Sequence, residues 1–291
     1  DLIDKVVKYL CKQKGKMLRP KLAIYTAKVL NGVNDKTYTV ASLVEMIHVA
    51  TLVHDDIVDG SYLRRGWPTI GRVWKNKLSI LIGDYLFSKA LTTTVKLKDL
   101  NSISILSNAS DRLSRGEIFQ IQQSKKKNIS EEMYYEMIKD KTASLFSATC
   151  ELSAITATNN SKDIALFREF GEIFGTAYQI KDDINDIIGK TEDLGKPSNF
   201  DLKRNMLTLP FIHCINKLDS KKRRGFLTHL KSLSKKGKTQ EIINIVDEYK
   251  GLEYANQVLD KYLEESKKNI SNFSNNKELI LFIDDVFYGK K

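Results

Sequence analysis

Apolar side chains recur at three- and four-residue intervals through almost the whole chain. Leu22, Tyr25, Thr26 and Val29 form one such stripe, Leu43, Met46, Ile47 and Ala50 a second, and Ile242, Ile243, Val246 and Tyr249 a third near the end. That spacing gathers the apolar residues on one face of a helix, whereas a half-buried strand needs alternation of period two. No convincing period-two run bounded by turn residues interrupts it. With helices averaging about a dozen residues, the pattern predicts roughly ten or more of them. Breaks are predicted at Asn31-Gly32, Gly66 to Gly71, Lys125 to Ser130, Asn159 to Ser161, Gly189 to Phe200 and Ser234 to Lys238, mostly at Gly, Pro and small polar residues. There is no tandem repeat and no Pro- or Ser-rich linker, so residues 1–291 are expected to form one all-α domain.

Composition narrows this further. Hydrophobic residues make up 42% and charged residues 29%, an ordinary globular balance. The four prolines leave long helices unbroken. Cys11, Cys150 and Cys214 are odd in number and far apart, which disfavours a disulfide framework or a zinc site and fits a reducing, cytoplasmic setting. No apolar run reaches the length of a membrane span. No signal peptide is visible, and because the chain begins at Asp1 without a methionine, an upstream segment is expected to precede it. The net charge of +11 raises the question of a nucleic acid or membrane partner. Aromatic residues are not interleaved with the lysines as a single-strand binder requires, so no nucleic acid is expected. The lysines read as a solvated surface that also attracts anions.

Two clusters carry candidate chemistry: His54-Asp55-Asp56-Ile57-Val58-Asp59 and Lys181-Asp182-Asp183-Ile184-Asn185-Asp186. Each ends a strongly apolar helical stretch. Asp55 and Asp59 are i and i+4, neighbours on one helix face, as are Asp182 and Asp186. Like charges so stacked repel, and a hard cation resolves the repulsion because Mg²⁺ prefers carboxylate oxygens. One such motif is often only an acidic surface turn; two copies are harder to dismiss. Mg²⁺ usually takes one or two protein carboxylates and fills its shell with phosphate oxygens and water, so the pair suits a multi-metal diphosphate clamp. Cations gather near the first motif: Lys16 and Arg19 before it, Arg64 and Arg65 after it. Adjacent arginines offer planar forks to phosphate oxygens.

Taken in order, the motifs resemble a known family. They are Gly15-Lys16-xx-Arg19-Pro20, Glu45-Met46-Ile47-His48, His54-Asp55-Asp56-xx-Asp59 with Arg64-Arg65-Gly66, Gly83-Asp84, Gly116-Glu117, Lys141-Thr142-Ala143, Gln179-xx-Asp182-Asp183-xx-Asp186 and Gly195-Lys196-Pro197. The chain strongly resembles the trans-polyprenyl diphosphate synthases, and is similar overall to bacterial long-chain, octaprenyl-type members. The resemblance implies the type I isoprenoid synthase fold, a single large helical bundle around a central cleft, usually homodimeric. It implies condensation of isopentenyl diphosphate with an allylic diphosphate, with up to three Mg²⁺ ions once substrate is bound. Asp55, Asp59 and Asp182 match the metal ligands, with Asp56, Asp183 and Asp186 beside them. Lys16, Arg19, His48 and Arg65 match the isopentenyl headgroup site. Arg64, Lys141 and Lys196 match contacts to the allylic diphosphate, and Lys141, Thr142 and Gln179 match groups close to the reacting centre. A lipid product implies transient contact with a membrane periphery.

Ala50 and Thr51 lie five and four residues before Asp55, about one turn down the same face. In the family a bulky aromatic one turn below the motif stops growth, so the resemblance implies for these small residues a product longer than farnesyl, about six to nine isoprene units. Three positions depart from the pattern: Met206 where many relatives have a second lysine, Asn199 for a glycine, and Gly60 for an acidic residue. Two other functions compete. A class I terpene cyclase shares the fold, but its second metal motif usually mixes Asn, Ser or Thr with Glu, and it needs one diphosphate only. A partner subunit of a heteromeric synthase commonly loses motif aspartates, and both motifs are complete here.

Overall fold

The computed structural model describes residues 1–13, 15–126, 130–189 and 200–289. Among the described residues the chain is all-α apart from one short hairpin, as the apolar spacing predicts. In order come α1 (Leu2–Lys12), α2 (Leu18–Val29), α3 (Asp35–Val58), β1 (Leu63–Arg64), β2 (Trp67–Pro68), α4 (Ile70–Val95), α5 (Leu100–Lys126) and α6 (Glu131–Ile138). A π-helical turn, Lys139–Ala143, leads into α7 (Ser144–Ala157), followed by α8 (Ser161–Ile188). Further helices span Phe200–Lys203, Leu209–Asn216, Ser220–Lys235, Thr239–Glu248, Gly251–Asn269 and Lys277–Tyr288. The antiparallel pair β1 and β2, with Leu63 opposite Pro68, was not foreseen, because two-residue strands are too short to show a period. Among the described helices none is long and apolar enough to cross a membrane. All three cysteines are free.

The chain forms two compact units. The first comprises Asp1–Asn108, Ser147–Glu169 and Phe273–Ile280. Its frame is the long α3, packed against α2 and α4. Asn34 starts α3 with a capping box, accepting from the Thr37 N–H at 3.1 Å. Its Nδ2 also donates to the carbonyl of Thr156 at 2.7 Å, which ties the helix start to α7. One apolar cluster joins Val6 of α1, Ala50 and Val53 of α3, and Ile70, Ile82 and Leu86 of α4.

The second unit comprises Ala109–Phe146, Phe170–Asn272 and Leu281–Lys291. Aromatic rings fill its centre. Phe174 of α8 meets Phe146 at 5.4 Å between centroids, Phe170 at 6.2 Å, Phe287 at 5.4 Å and, stacked, Phe282 at 6.1 Å. Such pairs contribute beyond their buried area. They fix α8, the helix that carries the second aspartate cluster.

Candidate active site

In the first unit the aspartates sit where α3 stops. Gly60 adopts a left-handed conformation, φ 59°, that a side chain would resist. Its N–H donates to the carbonyl of Ile57 at 3.1 Å, and the Ser61 N–H donates to that of Asp56 at 2.8 Å. This paired closure is the glycine-terminated helix end known as a Schellman motif. It accounts for a glycine at a position where the resemblance leads one to expect an acid. The last turns of α3 hold Asp55 and Asp56, Asp59 caps it, and no basic residue lies in the last turn. Carboxylates at the negative end of a helix dipole are disfavoured, so the arrangement asks for a cation. Asp55 and Asp59 remain partly exposed, whereas Asp56 is only 7% exposed.

Asp56 turns inward onto Arg64, whose Nε donates to Oδ1 at 2.7 Å. Burial pushes the Asp56 carboxyl above its ordinary range, against the pull of the Arg64 charge and hydrogen bond. Thus Asp56 positions Arg64, and the remaining guanidinium N–H groups are the ones available to a phosphate. His54 is fixed from α4: its Nε2 lies 3.2 Å from Oδ1 of Asp84. Gly83 leaves room for the ring, since a Cβ there would collide with the imidazole.

A second group forms around His48. Arg65, at φ 51°, lays its guanidinium over Gly15, where any Cβ would strike it, and Nη1 donates to the carbonyl of Gln13 at 3.2 Å. Arg19 is buried in the first turn of α2, and Lys16 is exposed just before that helix. His48 is held well below the usual imidazole range, first by burial and then by the charges of Arg19, Arg65 and Arg64. It is therefore a neutral hydrogen-bonding group among three cations. Burial raises Glu45, with Arg19 and Arg65 opposing. The structure thus brings Arg19, His48, Arg64 and Arg65 into one electrostatic neighbourhood, across α2, α3 and the hairpin.

In the second unit the aspartates again close a helix with no basic residue in its last turn, here α8. Asp182 is partly exposed, while Asp183 and Asp186 are buried, at 3% and 1%. The Asp201 N–H donates to Asp186 Oδ2 at 3.3 Å. A chain of hydrogen bonds runs through Asp183. Tyr134 donates its hydroxyl to Asp183 Oδ2 at 2.6 Å, and Gln179 Nε2 donates to Oδ1 at 2.8 Å. Gln179 Oε1 in turn accepts from Thr142 Oγ1 at 2.6 Å. Burial raises the Asp183 carboxyl well above its ordinary range, Asp201 adding to the rise and the two hydrogen bonds opposing it.

Lys141 and Thr142 lie on the π-helical turn, a wider turn than an α-helix makes, often found at functional sites. Glycine lets two helices close on it. A Cβ on Gly116 of α5 would come within 2.5 Å of the Lys141 nitrogen, and one on Gly175 of α8 within 2.6 Å of the Ala143 Cα. Lys141 Nζ meets Glu117 Oε2 at 2.5 Å and donates to Gln120 Oε1 at 3.1 Å. Arg112 pairs with Asp140 on the turn at 2.7 Å and with Glu172 on α8 at 3.3 Å.

The sequence named Lys141, Thr142 and Gln179 but gave no role to Tyr134, Gln120 or Arg112. Glu117 was noted only as part of a Gly-Glu motif. The spacing of Gly116, Glu117 and Gln120 on one helix is the signal that could have found the lysine's partners. Lys196, with Gly195, Pro197 and Asn199, lies outside the described residues. Met206 follows the helix Phe200–Lys203, its N–H donating to the Asp201 carbonyl at 2.9 Å. Among the described residues no group of three or more His, Cys, Asp or Glu side chains is arranged as a metal cage. The partly exposed carboxylates of Asp55, Asp59 and Asp182 are oxygen donors that suit Mg²⁺, which needs only one or two protein carboxylates alongside phosphate and water.

Tyr134→Phe tests the buried chain. It removes one donor from Asp183 and is expected to lower stability by about 1–2 kcal/mol. The loosened Gln179 is expected to reduce kcat roughly tenfold, as geometry at a reacting centre degrades. Urea melts and steady-state kinetics read both effects, and a loss of stability with unchanged kcat would leave Tyr134 a purely structural residue.

Comparison with known proteins gives the family. The polyprenyl synthetase family model matches residues 1–248. Octaprenyl diphosphate synthase of Haemophilus influenzae is 31% identical over 269 residues, covering 92% of this chain and 81% of the relative. A short chain isoprenyl diphosphate synthase of Methanothermobacter thermautotrophicus is 30% identical over 260 residues, 88% of this chain and 80% of the relative. A polyprenyl synthase from Caulobacter crescentus, crystallised with calcium and isoprenyl diphosphate, superposes with a TM-score of 0.85 at 29% identity, covering 96% of this chain and 86% of that one. The chain belongs to the polyprenyl synthetase family and is a trans-prenyltransferase of the polyprenyl diphosphate synthase class. The family uses a divalent metal and isoprenyl diphosphate substrates, and the relatives' products run from short to long chains.

Proposed function

We propose that the chain condenses isopentenyl diphosphate with an allylic diphosphate, using Mg²⁺, to give a polyprenyl diphosphate longer than farnesyl, and that its two units serve one synthase domain. The observation that carries the reading is the presence of both carboxylate-ended helices and a separate group of cations, Arg19, Arg64 and Arg65, around a neutral His48. Two diphosphate-bearing substrates need two sets of anion contacts. A terpene cyclase needs one.

Asp55, Asp59 and Asp182 would hold the metal, which when bound neutralises the leaving diphosphate. Lys16, Arg19, His48 and Arg65 would bind the isopentenyl headgroup, while Arg64, Lys141 and Lys196 would bind the allylic diphosphate. As the allylic C–O bond breaks, its electron pair leaves with pyrophosphate. The isopentenyl double bond supplies the pair for the new C–C bond, and a proton departs to pyrophosphate. Thr142 and Gln179, hydrogen-bonded to each other, would place oxygen dipoles near the positive charge that develops, a contribution that preorganisation makes large. Exposed Val73, Ile80, Leu81, Leu91 and Val95 on α4 suit the homodimer that the family resemblance implies.

Product length rests on Ala50 and Thr51. Thr51 is half-buried, and its hydroxyl donates to the His48 carbonyl at 2.8 Å. Ala50 is 1% exposed, covered by Val6, Ile82 and Leu86, and this favours a second reading in which bulky neighbours close the cleft and the product is short. Radiolabelled isopentenyl diphosphate, offered with geranyl or farnesyl diphosphate and analysed by mass spectrometry, decides between them. Magnesium-dependent incorporation into chains beyond farnesyl is expected. A cyclic hydrocarbon without incorporated label would establish the cyclase instead. Thr51→Phe is expected to shorten the product by one or more units without the overpacking that a phenylalanine at Ala50 would bring. An identical product distribution would remove position 51 from length control.

A further inference from the structure

The helix Ser220–Lys235 carries six Lys or Arg residues and no Asp or Glu in its 16 residues. Its inner side is apolar: Leu230 and Leu233 are buried, and Phe226 packs edge-on against Tyr249 at 5.3 Å between centroids. Arg223 is half-buried, and its Nε donates to the Leu218 carbonyl at 3.0 Å. Lys221, Lys222, Arg224 and Lys235, with Lys236 just past the end, are exposed, and among the described residues none of the five has an ion-pair partner. Lys238, two residues on, does have one, meeting Glu241 at 2.6 Å.

Structure alone gives no reason for this. The first turn holds four consecutive cations, Lys221 to Arg224, at the positive end of the helix dipole, where acids are favoured. Cations three or four residues apart on the helix also repel one another. The Asp219 side chain makes no capping bond that would offset this. Between the two cationic ends the exposed residues are Gly225, Thr228 and His229, with Ser232 half-buried, and none of them is acidic. Phe226 packs against Tyr249, and the single exposed imidazole of His229 is too little for the interleaved stacking surface that a single-strand binder needs. A broad, flat array of anions is the partner that fits.

We propose that this face docks the enzyme on an anionic lipid bilayer. The proposal rests on the product reading above in one respect: a long prenyl diphosphate is an amphiphile that leaves water for a membrane, and a docked enzyme releases it there. The cations act as a surface attraction that salt screens, without insertion of any segment.

Co-sedimentation with phosphatidylglycerol vesicles, with phosphatidylcholine vesicles as control, tests it on the intact chain. Binding to the anionic vesicles alone is expected at about 0.1 M salt, fading as added salt shortens the screening length. The combined variant K221Q/K222Q/R224Q/K235Q/K236Q is expected to bind at least about a hundredfold more weakly, from roughly fivefold per cation near the surface. Its kcat on a short, water-soluble starter should be unchanged, and its melting temperature equal or higher because the repulsion is gone. A variant that binds as well as the parent, or a parent that ignores phosphatidylglycerol, overturns the proposal. So does a parent that prefers duplex DNA to the vesicles at equal salt. The binding is read without substrate, so a short product would refute the chain-length reading and leave the vesicle result to stand separately.

Discussion

Gly116→Ala is expected to lower kcat about a hundredfold, the scale on which a misplacement of about one ångström costs a catalytic group. The added methyl would lie 2.5 Å from the Lys141 nitrogen and 2.8 Å from its Cα. Those are backbone atoms, which cannot swing aside as a side-chain tip does. Either α5 retreats or the π-helical turn moves. Both outcomes separate Lys141 from Glu117 and Gln120 and disturb Thr142 against Gln179. Overpacking of this kind also costs about 1–3 kcal/mol of stability. Chemical denaturation together with single-turnover kinetics measures the two effects. Full activity in a stably folded Gly116→Ala protein would show that the turn does not need this close approach.

Asp55 and Asp56, adjacent carboxylates at the end of α3, are expected to separate cleanly on substitution. Asp55→Asn should lower kcat by about a thousandfold, the upper range for removing one group that stabilises transition-state charge. Its stability should hold or rise, because one negative charge leaves the disfavoured end of the helix. Asp56→Asn should do the reverse: the buried partner of Arg64 is weakened, and stability falls by about 2 kcal/mol. Its kcat loss should be the smaller, accompanied by a raised KM for the allylic substrate as Arg64 loses its seat. Thermal melts and Mg²⁺ titrations of activity distinguish the two. Equal inactivity with equal stability in both variants would abolish the distinction between ligand and positioning residue.

The helices and their order were legible because apolar residues at three- and four-residue spacing leave a mark in sequence. The aspartate clusters were legible for the opposite reason, since stacked like charges have no structural excuse. What stayed hidden is contact between elements far apart in sequence. Tyr134 reads as one aromatic among several until α8 brings Asp183 beneath its hydroxyl. Gly116 and Gly175 read as helix-weakening residues until the backbone they admit is seen. Asp56 and Asp55 are chemically identical neighbours, and only a helix phase difference of about 100° sends one inward and the other outward. Ala50 shows the limit of arguing from size: a small side chain suggests space, but its neighbours decide whether space exists.

The π-helical turn also bears on how this segment tolerates change in length. Such a turn spends an additional residue without gaining a full turn, so it resets the rotational phase between α6 and α7. Tyr134 before it and Thr142 within it both reach α8 in this phase. The stretch Lys139–Ala143 is thus a spacer of fixed count: losing or adding one residue would rotate everything downstream, although nothing in its composition distinguishes it from ordinary helix.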